Sequence, residues 1–192
     1  MKRIILITGG QRSGKSEEAE RMALSLSTQP VYMATAHVWD DEFRERVSRH
    51  QQRRGSQWTN IEEERYLSRH DVSGRVVLID CVTLWLTNFF FDAHEANKPQ
   101  EPNETNEPNE PNEANGPHEP NELLETTKAE FDRFTAQDAT FIFVTNEIGW
   151  GGVSIDSVQR QFTDLQGMMN QYIASLSDEV YLMVSGIAVR IK

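Results

Sequence analysis

Short apolar runs alternate with amphipathic stretches along most of this chain. Runs that are apolar on both faces, as buried parallel strands require, occupy residues 2–8, 31–36, 75–80 and 140–145. Apolar positions at helical spacing occupy residues 14–26, 83–91, 123–134 and 156–176. Strands that alternate with helices in this way predict an α/β fold with three layers and a mainly parallel sheet.

Weaker patterns fill the gaps between these elements. A polar helix is expected from the N-cap Asp40 to about residue 54, a short strand over 58–61 and another helix over 62–70. Two apolar runs, 179–184 and 187–191, flank a Ser-Gly pair, and this arrangement predicts a C-terminal β-hairpin.

The pattern stops between about residues 92 and 122. Near-repeats of Glu-Pro-Asn-Glu fill this stretch, which holds six of the seven prolines in the chain. Prolines remove backbone donors and the acidic side chains repel one another, so the stretch lacks the means to build a core. We therefore expect one domain over residues 1–192, interrupted at about 92–122 by a disordered acidic insertion.

Overall composition narrows the functional classes. Nine acidic residues and one lysine lie within 92–122, so most of the net charge of −11 comes from this segment. The rest of the chain lacks the basic excess that is usual in nucleic-acid-binding proteins. No apolar run is long enough to span a membrane, and the single cysteine, Cys81, suits a reducing compartment. These features predict a cytoplasmic protein without nucleic-acid partners.

A phosphate-binding loop follows the first predicted strand and opens the first predicted helix. Its residues are Gly9, Gly10, Gln11, Arg12, Ser13, Gly14, Lys15 and Ser16. Backbone N–H groups of such a loop point at phosphate oxygens, and the helix N-terminus adds partial positive charge. In this pattern Lys15 reaches the β- and γ-phosphates, and the Ser16 hydroxyl is a ligand of Mg²⁺. A bound nucleoside triphosphate, GTP or ATP, is therefore expected.

Asp80 ends the third apolar run. In phosphate-loop proteins an aspartate at such a strand end holds Mg²⁺, directly or through water, so Ser16 and Asp80 form the predicted metal site. Ligands of parallel sheets bind at the carboxyl ends of the strands. The loop, residues 34–36, Asp80 and the glycine-rich segment 146–152 should therefore share one edge of the molecule. The residues of 146–152 do not decide between a substrate contact, a subunit contact and a plain connection.

His50 has an unusual environment on the predicted polar helix. Arg46, Arg53 and Arg54 lie one turn away from it, so all four side chains share a face. Arginines repel a metal ion and hold phosphate oxygens, and they favour the neutral imidazole, which is nucleophilic. The imidazole is thus a candidate to attack phosphorus and carry a nucleotidyl group. The residues alone leave open whether His50 does this or is an ordinary surface histidine.

The chain resembles the family of bifunctional adenosylcobinamide kinases/adenosylcobinamide-phosphate guanylyltransferases. The resemblance covers nearly the whole chain outside about 92–122. The matching stretches are 9–16 with Ala19 and Glu20; 31–36; 40–42 with Arg46, His50 and Arg54; Trp58 with Glu62; 78–88; 144–149; Arg160, Phe162, Asp164 and Gly167; and 184–186.

The resemblance implies two activities. A nucleoside triphosphate phosphorylates the hydroxyl on the aminopropanol arm of adenosylcobinamide, and GMP from GTP then passes through a guanylylated His50 to the new phosphate, giving adenosylcobinamide-GDP. The implied catalytic residues are His50 and Lys15. The implied nucleotide contacts outside the loop are Ala34, Thr35, Ala36, Gln51, Gln52, Arg53, Arg54, Glu62 and Asp80.

Members of the family assemble as trimers, so a homotrimer is also expected. Two other functional hypotheses remain compatible with the sequence. One is a kinase that has lost nucleotidyl transfer, and the other is a GTP-dependent regulatory switch that uses the acidic segment as a docking arm.

Overall fold

A seven-stranded sheet forms the centre of the protein in a computed structural model that describes residues 1–37, 55–96 and 120–192. The strands are β1 (Arg3–Gly9), β2 (Val31–Ala34), β3 (Thr59–Glu62), β4 (Val76–Asp80), β5 (Thr140–Val144), β6 (Glu179–Val184) and β7 (Ile187–Arg190). Their order across the sheet is β3-β2-β4-β5-β1-β6-β7. The strand that leads into the phosphate loop therefore lies between β5 and β6, well inside the sheet.

The first six strands in this order, β3-β2-β4-β5-β1-β6, pair in parallel with their neighbours, and only β6 and β7 pair antiparallel. In the hairpin Leu182 lies opposite Val189. The predicted parallel sheet and C-terminal hairpin are both confirmed. Because the parallel strands all point the same way, the ends of β1, β2, β4 and β5 share the predicted carboxyl edge.

Helices cover both faces of the sheet, which confirms the predicted three-layer α/β fold. They are α1 (Lys15–Leu26), α2 (Val82–Ala96), α3 (Pro120–Thr135) and α4 (Ser157–Leu176), together with short 3₁₀ helices at Leu67–Arg69 and Ile148–Gly151. None of the helices in the described parts of the chain is long and apolar enough to cross a membrane.

Alternate residues of β1 show how the layers are arranged. Ile5 and Ile7 pack with Ala19 of α1 on one face of the sheet. Ile4 and Leu6 belong to the larger core on the other face, where α2, α3 and α4 pack. This period-two alternation explains why the β1 sequence is apolar throughout: both faces of the strand are buried.

The predicted helix over residues 62–70 is wrong. Glu62 instead ends β3, and the segment that follows contains a single 3₁₀ turn, Leu67–Arg69. The Glu63 carboxylate accepts hydrogen bonds from the backbone N–H groups of Arg65 and Tyr66, both at 3.0 Å. Such local side-chain bonds satisfy the backbone donors that a helix would otherwise use, and they favour a turn.

The bounds predicted for the insertion, 92–122, are too wide, because both ends of this range are helical. Helix α2 continues to Ala96, and α3 begins at Pro120, where proline fits the first helical position. The Arg65 guanidinium forms an ion pair with Asp92, which ties the last part of α2 to the body of the protein. Residues 97–119, like the predicted helix over 40–54, lie outside the described residues.

Candidate functional site: the carboxyl edge of the sheet

The phosphate loop is tightly packed against the β6–β7 turn. A Cβ atom added to Gly9 would lie 2.6 Å from the Met183 carbonyl oxygen, and one added to Gly14 would lie 3.3 Å from Gly186 Cα. The Gly186 N–H donates to the Ser13 carbonyl at 3.0 Å. Both loop glycines also have positive φ angles, 150° and 93°. Glycine is therefore required at both positions for steric reasons, independent of any ligand.

The close packing around Gly9 predicts that a side chain at this position destabilises the protein. Gly9→Ala should lower the free energy of unfolding by about 2–3 kcal/mol, because the new methyl group overlaps a backbone oxygen that has little room to move. Gly10→Ala is the matched control, since a Cβ at Gly10 meets no atom within 4 Å. Urea unfolding of both variants checks this, and equal stabilities would contradict the described packing of the loop.

Lys15 is the first residue of α1, and its side chain is buried. Its Nζ donates to the Gly10 carbonyl at 2.6 Å, so the ammonium group lies across the loop. Burial lowers the pKa of Lys15, while negative charge on Cys81 and Asp80 acts in the opposite direction. Burial also raises the pKa of the Cys81 thiol to about 12, so the Asp80 carboxylate supplies the effective negative charge near neutral pH. The loop thus holds a cation where phosphate oxygens would bind.

Asp80 is held by Tyr32 from the neighbouring strand. The Tyr32 hydroxyl donates to Asp80 Oδ2 at 2.6 Å, and the Tyr32 ring, 2% exposed, meets the Trp58 ring edge-on at 5.7 Å. Leu78, two residues before Asp80, packs with Ala19 of α1, so Asp80 lies on the face of the sheet that α1 covers. The carboxylate therefore lies on the same face as Lys15 and Ser16.

The segment after Asp80 is fixed by a second contact. Thr35 Oγ1 donates to the Cys81 carbonyl at 2.8 Å and accepts from the Cys81 N–H at 2.9 Å. Asn88 of α2 donates to the Thr35 carbonyl at 2.8 Å. Thr35, which the sequence placed among the nucleotide contacts, is fully buried and holds β2, β4 and α2 in register.

The Ser16 hydroxyl and the Asp80 carboxylate suit Mg²⁺, which prefers oxygen ligands and usually keeps several waters and substrate phosphates. Among the described residues there is no cluster of three or more His, Cys, Asp or Glu side chains that would bind a metal by themselves. The predicted pair, Ser16 and Asp80, would supply two oxygen ligands and leave the remaining positions to water and substrate phosphates.

Tyr32→Phe tests how Asp80 is oriented. A hydrogen bond to a charged group contributes about 1.5–3 kcal/mol, and without it the Asp80 carboxylate is less well oriented toward the cation. About tenfold more Mg²⁺ should therefore be needed for half-maximal turnover. Tyr181→Phe is the matched control, because the Tyr181 hydroxyl also donates to a carboxylate, Glu179 Oε2, at 2.6 Å. A Mg²⁺ titration of turnover that gives equal midpoints for the two variants would contradict this role of Tyr32.

Glu147 connects the end of β5 to the phosphate loop. Its N–H donates to the Gly9 carbonyl at 3.1 Å, and its Oε1 accepts from Thr8 Oγ1 at 2.6 Å and from Asn170 Nδ2 at 3.3 Å. On the other side Asn146 donates to Thr83 Oγ1 of α2 at 3.1 Å. The end of β5 is thus bonded to both neighbours, the loop and the start of α2.

A buried polar cluster lies behind Glu147. Thr145 Oγ1 donates to Asn170 Oδ1 at 2.7 Å and accepts from Gln166 Nε2 at 2.9 Å. All three side chains are at least nine-tenths buried. Because partners in such a network fix one another, the cluster holds α4 in a single position against the end of β5.

The structure brings some of the predicted site residues together and separates others. Asp80 is close enough to raise the pKa of Lys15, against the effect of burial. Strand β4, which ends at Asp80, lies two strand steps, or about 10 Å, from β1, which leads into the loop. Glu62 ends β3, which lies four strand steps from β1, or about 19 Å along the edge. His50, Gln51, Gln52, Arg53 and Arg54 lie outside the described residues, in the segment between β2 and β3.

Tyr32 lies in the predicted strand 31–36 and Glu147 in the glycine-rich segment 146–152, but neither received a role of its own from the sequence. Tyr32 is a hydroxyl-bearing residue in an otherwise apolar strand, and Glu147 is an acidic residue two positions after a buried strand end. Those were the available signals, but the sheet order was needed to interpret them, because the neighbour of β2 is β4 and the neighbour of β1 is β5.

Comparison with known proteins gives matches along almost the entire chain. A model of the family described as cobinamide kinase / cobinamide phosphate guanyltransferase matches residues 5–191. The bifunctional adenosylcobalamin biosynthesis protein CobU of Escherichia coli (strain K12) is 36% identical over 197 residues, which cover 98% of this chain and 99% of that protein.

Two further relatives match over similar lengths. The protein of the same name from Salmonella typhimurium (strain LT2) is 33% identical over 193 residues, covering 98% of this chain and 99% of that protein. The bifunctional adenosylcobalamin biosynthesis protein CobP of Pseudomonas aeruginosa (strain PAO1) is 33% identical over 191 residues, covering 97% and 96%. The similarity therefore extends over nearly the full length of each relative, 96–99%, rather than over the phosphate loop alone.

Proposed function

Because the chain belongs to the cobinamide kinase / cobinamide phosphate guanyltransferase family, we propose that it catalyses two successive transfers on adenosylcobinamide. In the first, a nucleoside triphosphate phosphorylates the hydroxyl of the aminopropanol arm. In the second, GMP from GTP is attached to that phosphate, and the product is adenosylcobinamide-GDP. One observation carries the proposal: a packed phosphate loop with Lys15 and Asp80 on one face, in a chain that matches the family over residues 5–191.

The kinase step uses the carboxyl edge described above. The N–H groups of residues 9–16 and the N-terminus of α1 bind the triphosphate, and Lys15 exchanges the Gly10 carbonyl for β- and γ-phosphate oxygens. Ser16 and Asp80 would hold Mg²⁺, which would neutralise charge on the phosphates. Tyr32 fixes one Asp80 oxygen and leaves the other available to the cation or to its water. Either GTP or ATP fits this arrangement as phosphate donor.

The guanylyl step uses His50. A ring nitrogen of His50 forms a bond to the α-phosphorus of GTP, and the bond from that phosphorus to the bridging oxygen breaks, releasing pyrophosphate. A phosphate oxygen of adenosylcobinamide phosphate then attacks the same phosphorus and displaces the imidazole. The sequence spacing supports this role, since Arg46, Arg53 and Arg54 are at helical spacing from His50 and would hold phosphate oxygens around the nucleophile.

The remaining assignments complete the proposal. Ala34, Ala36 and Glu62, which lie at the end of the sheet formed by β2 and β3, contact nucleotide together with Gln51–Arg54, and the buried Thr35 supports this end of the sheet from within. The chain forms one catalytic domain with its acidic insertion between α2 and α3, functions in the cytoplasm and assembles as a homotrimer.

Product analysis tests the proposal. The protein is incubated with adenosylcobinamide, Mg²⁺ and either GTP or ATP, and corrinoids are separated by chromatography and identified by mass. We expect adenosylcobinamide phosphate to form first and adenosylcobinamide-GDP to follow only when GTP is present. Turnover of GTP without any change in the corrinoid would overturn the proposal.

A further inference from the structure

The kinase step needs a group that accepts the proton of the attacking hydroxyl, and Lys15, Ser16 and Asp80 do not supply it. Lys15 is a cation, and Ser16 and Asp80 would be ligands of Mg²⁺ in the proposed arrangement. In phosphoryl transfer to an alcohol, a carboxylate that receives this proton also aligns the nucleophile with the phosphorus atom. A carboxylate beside the phosphate loop is therefore the group to look for.

The described strand ends offer few carboxylates at this edge. Glu62, Glu63 and Glu64 lie at or just after the end of β3, about 19 Å along the edge from β1. Asp80 already accepts the Tyr32 hydroxyl. Glu147 is different, because its own backbone N–H is bonded to the first glycine of the loop and its strand lies between the loop and Asp80.

One oxygen of Glu147 is held, and the other is available. Thr8 and Asn170 both donate to Oε1, and within the described parts of the chain no hydrogen bond reaches Oε2. Glu147 is half-buried, at the border between the buried Thr145–Gln166–Asn170 cluster and the exposed residues that begin at Ile148. Oε2 is also not among the buried polar atoms of the described residues that lack a partner. A carboxylate that is fixed through one oxygen and keeps the second unbonded and accessible has the form expected of a proton acceptor.

The charge of Glu147 also needs an explanation. No ion pair of Glu147 occurs among the described residues, so a negative charge lies beside a loop whose ligand is itself an anion. Repulsion between the two weakens nucleotide binding. A glutamine would accept the same bonds from Thr8 and Asn170 without this repulsion, so the hydrogen bonds alone do not account for an acidic residue here.

We propose that Glu147 is the catalytic base of the kinase step, an inference that rests on the proposed function. The hydroxyl O–H bond of the substrate breaks and its proton passes to Glu147 Oε2, while the oxygen forms a bond to the γ-phosphorus. The bond between that phosphorus and the β–γ bridging oxygen breaks, and its electron pair leaves with the nucleoside diphosphate. Glu147 then releases the proton to water.

The test uses Glu147→Gln, which keeps the shape and the acceptor for Thr8. The kinase kcat should fall about 10²–10³-fold, whereas the KM for the nucleotide should stay the same or decrease because a repulsive charge is gone. Covalent labelling of the protein by GTP should proceed at the parent rate, since that step attacks the α-phosphorus and needs no substrate hydroxyl. Glu147→Asp should retain more of the kinase rate than Glu147→Gln.

Two controls make the result decisive. Glu64→Gln removes a carboxylate from the same edge, one that contacts His37 Nδ1 at 2.9 Å and is remote from the loop, and should leave both steps unchanged. Thr8→Val removes the hydroxyl that donates to Glu147 Oε1. Its kinase rate therefore measures the effect of losing this hydrogen bond while the Glu147 carboxylate is kept. A kinase rate of Glu147→Gln within threefold of the parent would overturn the proposal, and so would equal losses in the kinase step and in GTP labelling. Absence of kinase activity in the parent would instead count against the proposed function itself.

Discussion

Lys15→Ala is expected to lower kcat/KM of the kinase step by about 10³-fold. Lys15 lies across the loop with its Nζ 2.6 Å from the Gly10 carbonyl, so its ammonium is already at the place proposed for the β- and γ-phosphate oxygens. Removing a positioned donor from developing charge in a water-poor site typically costs 10²–10³ in rate, and here ground-state binding of the triphosphate is lost as well. Steady-state kinetics with adenosylcobinamide and saturating Mg²⁺ measures the effect.

Lys128→Ala is the matched control for this variant. Lys128 also lies on a helix, but its Nζ pairs with Glu125 on the surface of α3, far from the loop. It should retain the parent rate. A Lys15→Ala protein that folds normally by circular dichroism and keeps more than a tenth of the parent kcat/KM would show that the loop does not bind the reacting phosphates.

His50→Ala is expected to stop the reaction at adenosylcobinamide phosphate. The guanylyl step should fall by at least about 10⁴-fold, because removing a covalent nucleophile leaves only binding and electrostatic contributions. The kinase step should stay within a few-fold of the parent, since the groups proposed for it lie on the loop, at the end of β4 and just after β5. Chromatography of the corrinoids over time distinguishes the two steps.

His70→Ala provides the comparison for loss of a histidine. His70 Nε2 lies 3.2 Å from Glu63 Oε2, and this pair belongs to the turn after β3 rather than to the loop. This variant should form adenosylcobinamide-GDP normally. Formation of that product by His50→Ala at the parent rate would exclude a covalent role for His50.

The sequence was sufficient to predict the phosphate loop and the sheet edge on which it lies. The spacing of Gly9, Gly14 and Lys15 follows from the geometry of phosphate binding, and the buried strands are recognisable because both of their faces are apolar. Asp80 could be placed at the same edge because parallel strands end together. These predictions depended on local patterns, and local patterns are present in one sequence.

Other features depended on packing that the sequence does not display. The Tyr32–Asp80 bond exists because β2 and β4 are neighbours although β3 separates them in sequence. Glu147 reaches Thr8 because β5, more than a hundred residues later, lies beside β1. The helix expected over 62–70 failed for a local reason, since the Glu63 carboxylate satisfies the donors of a turn.

In the proposed function one chain carries both a kinase site and a covalent guanylyl site. The most direct test is the intact mass of the protein after incubation with Mg²⁺ and GTP, kept at mildly alkaline pH because phosphoramidates are labile in acid. We predict an added GMP on the parent protein and none on His50→Ala. An unmodified parent that still binds GTP would contradict the claim.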